Sequence, residues 1–306
     1  MREQIPDGVF PTMITPFTSR GTIDYDAVSR LIGWYDARGV SGIFAICQSS
    51  EIFFLSFEER LELLRFVVAN APKHISIIAS GHVESDLDTQ IKEAAAFIET
   101  GIDAYVFISN RFAREDESDD VLIKNALYVM DNLPLMNFGI YECPYPYKRV
   151  MSPEALKTLA ASGRLRFLKD TCCDLDLISR KLSAAEGNDL KIYNAVSSIL
   201  LESLKMGCSG YSGVMANFHP ELYVWLCENY RSEPEKSMLL QDFLGVASVM
   251  ESRFYPVCAK YFLNISGVTM DLYSRARNSS EFSRNFKMEF DQLKRLTDTY
   301  IEQMEL

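Results

Sequence analysis

Short unbroken apolar runs alternate along most of the chain with longer stretches in which apolar residues recur every third or fourth position. The first rhythm is that of a strand buried on both faces and the second that of an amphipathic helix. The runs are Val9–Thr15, Gly42–Cys47, His74–Ala79, Ala104–Ile108, Leu135–Tyr141, the segment Arg166–Leu168 that ends at Lys169, Leu190–Ala195 and Gly210–Met215. A helical pattern follows each one. Asp24 is placed to cap a helix through Val28, Leu31, Ile32 and Tyr35 that Gly39 stops. Ser56 and Glu59 have capping-box spacing ahead of Leu61, Leu64 and Val68. Ile91, Ala94, Ala95 and Ile98 lead to Gly101, and Ser152 with Pro153 opens another helix. Further helices are predicted near residues 119–131, over 174–185, over 197–206 and from Pro220.

Eight strand–helix pairs over about 230 residues predict an α/β fold, a (β/α)₈ TIM barrel, in residues 1–232. An open doubly wound sheet uses the same alternation, but its Gly-x-Gly-x-x-Gly turn has no counterpart after the first run. Beyond Ser232-Glu233-Pro234 the strand rhythm stops. Residues 233–306 are predicted as a C-terminal helical region, helical throughout from 235.

Composition narrows the function classes. The 306 residues are 48% hydrophobic and 24% charged, average for a globular protein, and the net charge of −11 disfavours nucleic acid and anionic membranes as partners. No apolar run approaches the roughly 18 residues of a membrane span. The opening MREQIPDGVF lacks the apolar core of a signal peptide, which predicts a cytoplasmic protein. Seven cysteines without framework spacing predict free thiols, and His74, His82 and His219 lie too far apart to suggest a metal site. The acidic stretch Glu115–Asp120 reads as a solvated loop leading into a helix.

In a barrel the carboxyl ends of the strands meet at one mouth, so the residues there are weighed together. Lys169 ends the sixth run, Tyr141 the fifth, and Gln48-Ser49-Ser50-Glu51 follow the second. A strand-end lysine that snorkels to solvent is the plainer use of such a position. Burial instead lowers the pKa of an amine and leaves part of it neutral and nucleophilic toward a carbonyl. With a tyrosine as proton carrier and the Ser49-Ser50 turn offering hydroxyls and amides to a carboxylate, the set suits imine chemistry on a 2-oxo acid. The iminium is itself the electron sink, so no metal or organic cofactor is called for.

The order and spacing of these motifs resemble the dihydrodipicolinate synthase and N-acetylneuraminate lyase family over essentially the whole chain. The resemblance is carried by Thr15-Pro16, Ser49 before Ser50-Glu51, Tyr141 ahead of Cys143-Pro144, Lys169 between strand and loop, and Gly207-Cys208-Ser209-Gly210 leading to Ala216-Asn217. It implies that Lys169 forms a Schiff base with pyruvate or another 2-oxo acid, that Tyr141 shuttles protons, that Ser49 serves the catalytic site, and that the protein is a homo-oligomer, dimer or tetramer. Ser50, Gln48, Ser212, Arg111 and Lys148 are the candidate substrate-binding residues.

The departures bear on the substrate. Gln48 and Ser50 stand where the family has a hydroxyl residue and a glycine, and Ser50 would be strained if the turn required a positive φ there. Pro146 occupies the place of the arginine that receives the second substrate's carboxylate in the synthases. Arg111-Phe112 falls where those enzymes supply a second tyrosine, and Ala195-Val196-Ser197 lacks the acidic residues of the neuraminate lyases. A Schiff-base lyase, aldolase or dehydratase, is the favoured reading. An authentic dihydrodipicolinate synthase, a barrel that binds 2-oxo acids as a sensor without turnover, and a phosphate-ester barrel using the glycine-rich Gly207–Gly213 segment are the alternatives.

Overall fold

The computed structural model describes residues 4–306. Its eight strands are β1 (Gly8–Val9), β2 (Gly42–Phe44), β3 (Ser76–Ala79), β4 (Ala104–Ile108), β5 (Asn137–Tyr141), β6 (Leu165–Asp170), β7 (Lys191–Asn194) and β8 (Gly210–Tyr211). All pair in parallel in the order β1-β8-β7-β6-β5-β4-β3-β2. The ring closes between β1 and β2 through Ser41 N–H to Val9 O and Phe44 N–H to Pro11 O, both 3.0 Å. The fold is the expected TIM barrel. Regular pairing of β1 ends earlier than the apolar run, because Pro11 has no N–H to donate; a single bridge, Thr12 to Phe44, continues it. Gly210 has φ +155°, and a Cβ there would sit 1.8 Å from the Gly8 carbonyl oxygen, so this glycine lets the first and last strands meet.

The barrel's helices are α1 (Tyr25–Asp36), α2 (Phe57–Asn70), α3 (Leu87–Ile98), α4 (Asp119–Asp131), α5 (Pro153–Ala160), α6 (Leu175–Ala185), α7 (Leu200–Met206) and α8 (Pro220–Asn229). The caps are those expected: Asp24 accepts from Ala27 N–H, Ser56 and Glu59 form a reciprocal box, and Ser152 accepts from Ala155 N–H. Inside the barrel, aromatic side chains fill the lower layers. Phe167 stacks on Tyr193 at 4.5 Å between ring centres, and Phe10 packs edge-on against both. A solid floor of this kind confines any ligand to the mouth above it.

Three helices follow, α9 (Pro234–Ala247), α10 (Val257–Ile265) and α11 (Arg284–Gln303). The expectation that residues 235–306 are helical throughout is corrected over 266–283, where Ser279–Glu281 forms a single tight turn and the rest is irregular. The reason is a competing acceptor. The amides of Arg275 and Ala276 donate to the Glu51 carboxylate at 2.6 and 2.8 Å instead of closing a helix. None of the described helices is long and apolar enough to cross a membrane.

Candidate active site

Strand pairing sets the site. Tyr141 on β5 and Lys169 on β6 are register partners, and side chains alternate along a strand, so both point into the barrel mouth. The Lys169 ammonium position lies 5.1 Å from the centre of the Tyr141 ring, and its Nζ donates to the Ser212 carbonyl at the end of β8. Lys169 is only 4% exposed. Burial lowers its pKa to about 8, so a substantial neutral fraction exists near physiological pH. Burial also holds the Tyr141 phenol well above its ordinary value, with the nearby thiols of Cys143 and Cys47 contributing in the same sense. The lysine is poised to lose its proton and the tyrosine to keep one.

The next residues along the two strands, Glu142 and Asp170, point the opposite way, toward the helices. Lys181 of α6 reaches between them, 2.5 Å from Glu142 Oε1 and 2.5 Å from Asp170 Oδ2, with all three side chains fully buried. Glu142 also accepts the amides of Met151 and Thr171 at 2.8 Å, and Asp170 that of Cys172 at 3.0 Å. One ammonium thereby ties together the ends of the two strands that carry Tyr141 and Lys169.

The turn after β2 forms the opposite wall. Gln48 Oε1 accepts from the Tyr141 hydroxyl at 3.1 Å and faces the Cys143 thiol at 3.5 Å, while the Ser49 hydroxyl donates to Thr12 Oγ1 at 3.0 Å. The positive φ falls on Glu51, at 60°, and not on Ser50. The condition under which Ser50 would be strained is therefore not met. Glu51 tolerates the conformation because its buried carboxylate is held by Lys260 Nζ at 3.1 Å, the Ser274 hydroxyl at 2.9 Å and the two amides noted above. Ser50 itself is spent on the turn. Its hydroxyl lies 2.6 Å from Met13 O and 2.9 Å from Ala45 O, its own amide donates to Cys47 O, and the Cys47 amide donates to its oxygen.

These residues border a cleft of about 490 Å³ at the mouth. Thr12, Gln48, Ser49, Tyr141, Lys148, Lys169 and Thr171 line it; Ser50, Ser212 and Arg111 do not. Ser212 meets Lys169 through its carbonyl, with its own hydroxyl buried and unbonded. The Arg111 guanidinium lies 5.4 Å over the Phe53 ring. The lining residues that the sequence did not mark include Glu251 and Tyr255. Both arrive from the segment between α9 and α10, where no local pattern marks them as site residues. Among the described residues no group of three or more His, Cys, Asp or Glu side chains is arranged to hold a metal ion.

A closed parallel barrel with a buried, readily deprotonated lysine on one strand and a tyrosine on the next has the parts of a Schiff-base-forming lyase. The chain belongs to the dihydrodipicolinate synthetase family, whose model matches residues 5–280. It is 24% identical over 273 residues to a 4-hydroxy-tetrahydrodipicolinate synthase of Pseudoalteromonas atlantica, covering 88% of this chain and 90% of that one. The same fold occurs in the 4-hydroxy-tetrahydrodipicolinate synthase of Methylacidiphilum fumariolicum, with TM-score 0.86, 21% identity and 98% of each chain covered. It occurs also in YagE, a prophage protein of Escherichia coli K12 solved in complex with pyruvate, with TM-score 0.85, 20% identity, and 98% of this chain and 99% of that one covered.

Proposed function

We propose that the protein is a Schiff-base lyase that joins or splits a carbon–carbon bond, or eliminates water, on pyruvate or another 2-oxo acid bound to Lys169. The observation that carries this is the buried lysine set in register with Tyr141. Neutral Lys169 adds to the ketone carbon, and the Tyr141 hydroxyl gives its proton to the departing carbinolamine oxygen, which leaves as water. The resulting phenolate is tolerable in so apolar a place because the iminium cation forms beside it. In the cleavage direction the phenolate takes the proton of the substrate's hydroxyl, and the carbon–carbon bond pair moves into the iminium to give an enamine and an aldehyde. Tyr141 then protonates the enamine carbon, and water hydrolyses the imine. Ser49 and the Gln48 amide are the groups offered to the 2-oxo acid's carboxylate.

The experiment is borohydride trapping with pyruvate and a panel of 2-oxo acids, read by intact mass and peptide mapping. An adduct on Lys169 is expected; none with any of them would leave the sensor and unrelated-barrel readings. The trapping rate should climb with pH as the ammonium is lost and level off above about 8, since only the neutral amine attacks. Tyr141→Phe should still be trapped, slowly, while turnover falls about a hundredfold or more with loss of the proton carrier.

The relatives' own activity, 4-hydroxy-tetrahydrodipicolinate synthesis, is the second reading, favoured by the whole-chain match. Against it stand Pro146 and Phe112, which offer neither the cation nor the hydroxyl that the resemblance calls for. The same family-level reading includes assembly as a homodimer or homotetramer in the cytoplasm. Met238, Leu239, Val246 and Val249, all at least half exposed on or just beyond α9, are apolar surface that such assembly would cover.

A further inference from the structure

The cleft lining combines a polar group around Lys169 with a set of aromatic and proline rings. Thr12, Gln48, Ser49, Tyr141 and Lys169 are linked by contacts of 3.0, 3.1 and 5.1 Å and form its polar wall, the part a 2-oxo acid would fill. The remaining lining includes Phe53, Phe54, Pro144, Tyr145, Tyr255 and Pro256, with the rings of Phe53 and Tyr145 4.8 Å apart. Phe54 and Tyr145 are about half exposed, at 51% and 53%, which sets them at the rim. A group attached beyond the 2-oxo acid has these rings to lie against.

Charge narrows the class of that group. Glu51 is committed to Lys260, so the free charges along the lining, Lys169 aside, are Lys148 and Glu251. Lys148 is exposed, with its ammonium 3.8 Å from the Cys173 sulfur. Glu251 is partly buried and supplies a negative charge on the cleft wall, where it acts on Lys169. Arg111 is turned onto Phe53 and position 146 is proline. A carboxylate on the distal group would leave water for a wall whose lining residues supply no buried cation besides Lys169 and which also carries Glu251, an unfavourable transfer. An aromatic body would lose nothing in polar solvation and would pack on Phe53 and Tyr145 in the tilted geometry that rings prefer.

Building on the lyase reading, we propose that the second half of the substrate is an uncharged aryl aldehyde, so that the enzyme cleaves or forms aldols between pyruvate and an aromatic aldehyde. The reaction balances with the groups already present. The hydroxyl proton passes through Tyr141 to the enamine carbon, the bond to the aryl-bearing carbon breaks, and the aldehyde leaves without any redox partner.

The test uses the intact protein and three substrates, the pyruvate aldols of benzaldehyde, acetaldehyde and glyoxylate, with release of pyruvate followed by a coupled assay. The aryl aldol should exceed the carboxylate-bearing glyoxylate aldol in kcat/KM by at least about tenfold, the discrimination one pocket contact commonly gives. In Glu251→Gln that ratio should shrink, as the repelling charge is removed. Equal or preferred cleavage of the glyoxylate aldol would overturn the proposal. So would a wild-type protein that is trapped by pyruvate yet cleaves none of the three. Failure of pyruvate to trap at Lys169 would sink the lyase reading instead, and that separates the two.

Discussion

Lys169→Ala should yield a folded protein that no longer gives a borohydride-trapped adduct and whose turnover drops by roughly four orders of magnitude or more, as befits loss of the covalent nucleophile. Circular dichroism and the cooperativity of melting should be unchanged, since Lys169 donates one hydrogen bond, to the Ser212 carbonyl, and faces the Tyr141 ring without holding any element in place. A more telling variant for stability is Lys169→Met, which keeps the volume. The folded-state pKa of Lys169 is lowered to about 8 while the unfolded lysine keeps its ordinary 10.5. Between these values the unfolded chain holds more protons, so this group makes stability rise with pH, and its cost is full below about 8. Lys169→Met should therefore melt a few degrees higher than the wild type at pH 7, with the advantage fading as pH approaches 10. A variant that melts lower at pH 7 would show that the amine is not a strained group. Residual adduct in Lys169→Ala would show that the imine forms elsewhere.

Lys169 and Tyr141 were legible in the sequence for a simple reason. A strand deposits its last inward-facing residue at the barrel mouth, and the apolar runs ending at Tyr141 and Lys169 marked both strands. The β1 and β8 ends were less legible, because buried loop and buried strand share an apolar composition. Val214–Asn217 extends the run of β8 but coils into a tight turn. Ser50 and Glu51 show the limit of reading a turn by homology of position. The left-handed residue is one place later, and what permits it is a lysine and two amides more than 200 residues away in sequence. Arg111 fell at the mouth by count, yet the Phe53 ring holds it aside. Glu251 and Tyr255 were invisible, since they reach the cleft only through the packing of the C-terminal segment on the barrel.

Lys181 is the instructive omission, and its removal is the second large effect expected. In the sequence it is one more charged residue of an amphipathic helix. A signal was nonetheless present: Glu142 and Asp170 each follow an inward-facing residue on neighbouring strands, so both must point outward into the helix layer, where two carboxylates need a cation. Lys181→Met leaves them buried and facing each other. Breaking a buried ion pair from one side costs about 3–5 kcal/mol, so the urea midpoint should fall steeply at pH 7. The sign with pH follows from proton binding. Glu142 is already raised by burial and by Asp170, with Lys181 opposing; without the lysine Glu142 rises further, and the folded state then binds more protons than the unfolded one. The deficit of Lys181→Met should thus narrow as pH falls through the range where Glu142 is protonated. Adding Glu142→Gln and Asp170→Asn should recover much of the stability at pH 7, because neutral amides need no counter-charge. If the three side chains also set the spacing of Tyr141 and Lys169, the trapping rate should fall in Lys181→Met at a pH where the protein is fully folded, and return in part in the triple variant. A Lys181→Met protein as stable and as quickly trapped as the wild type would show that the ends of β5 and β6 hold their places without it.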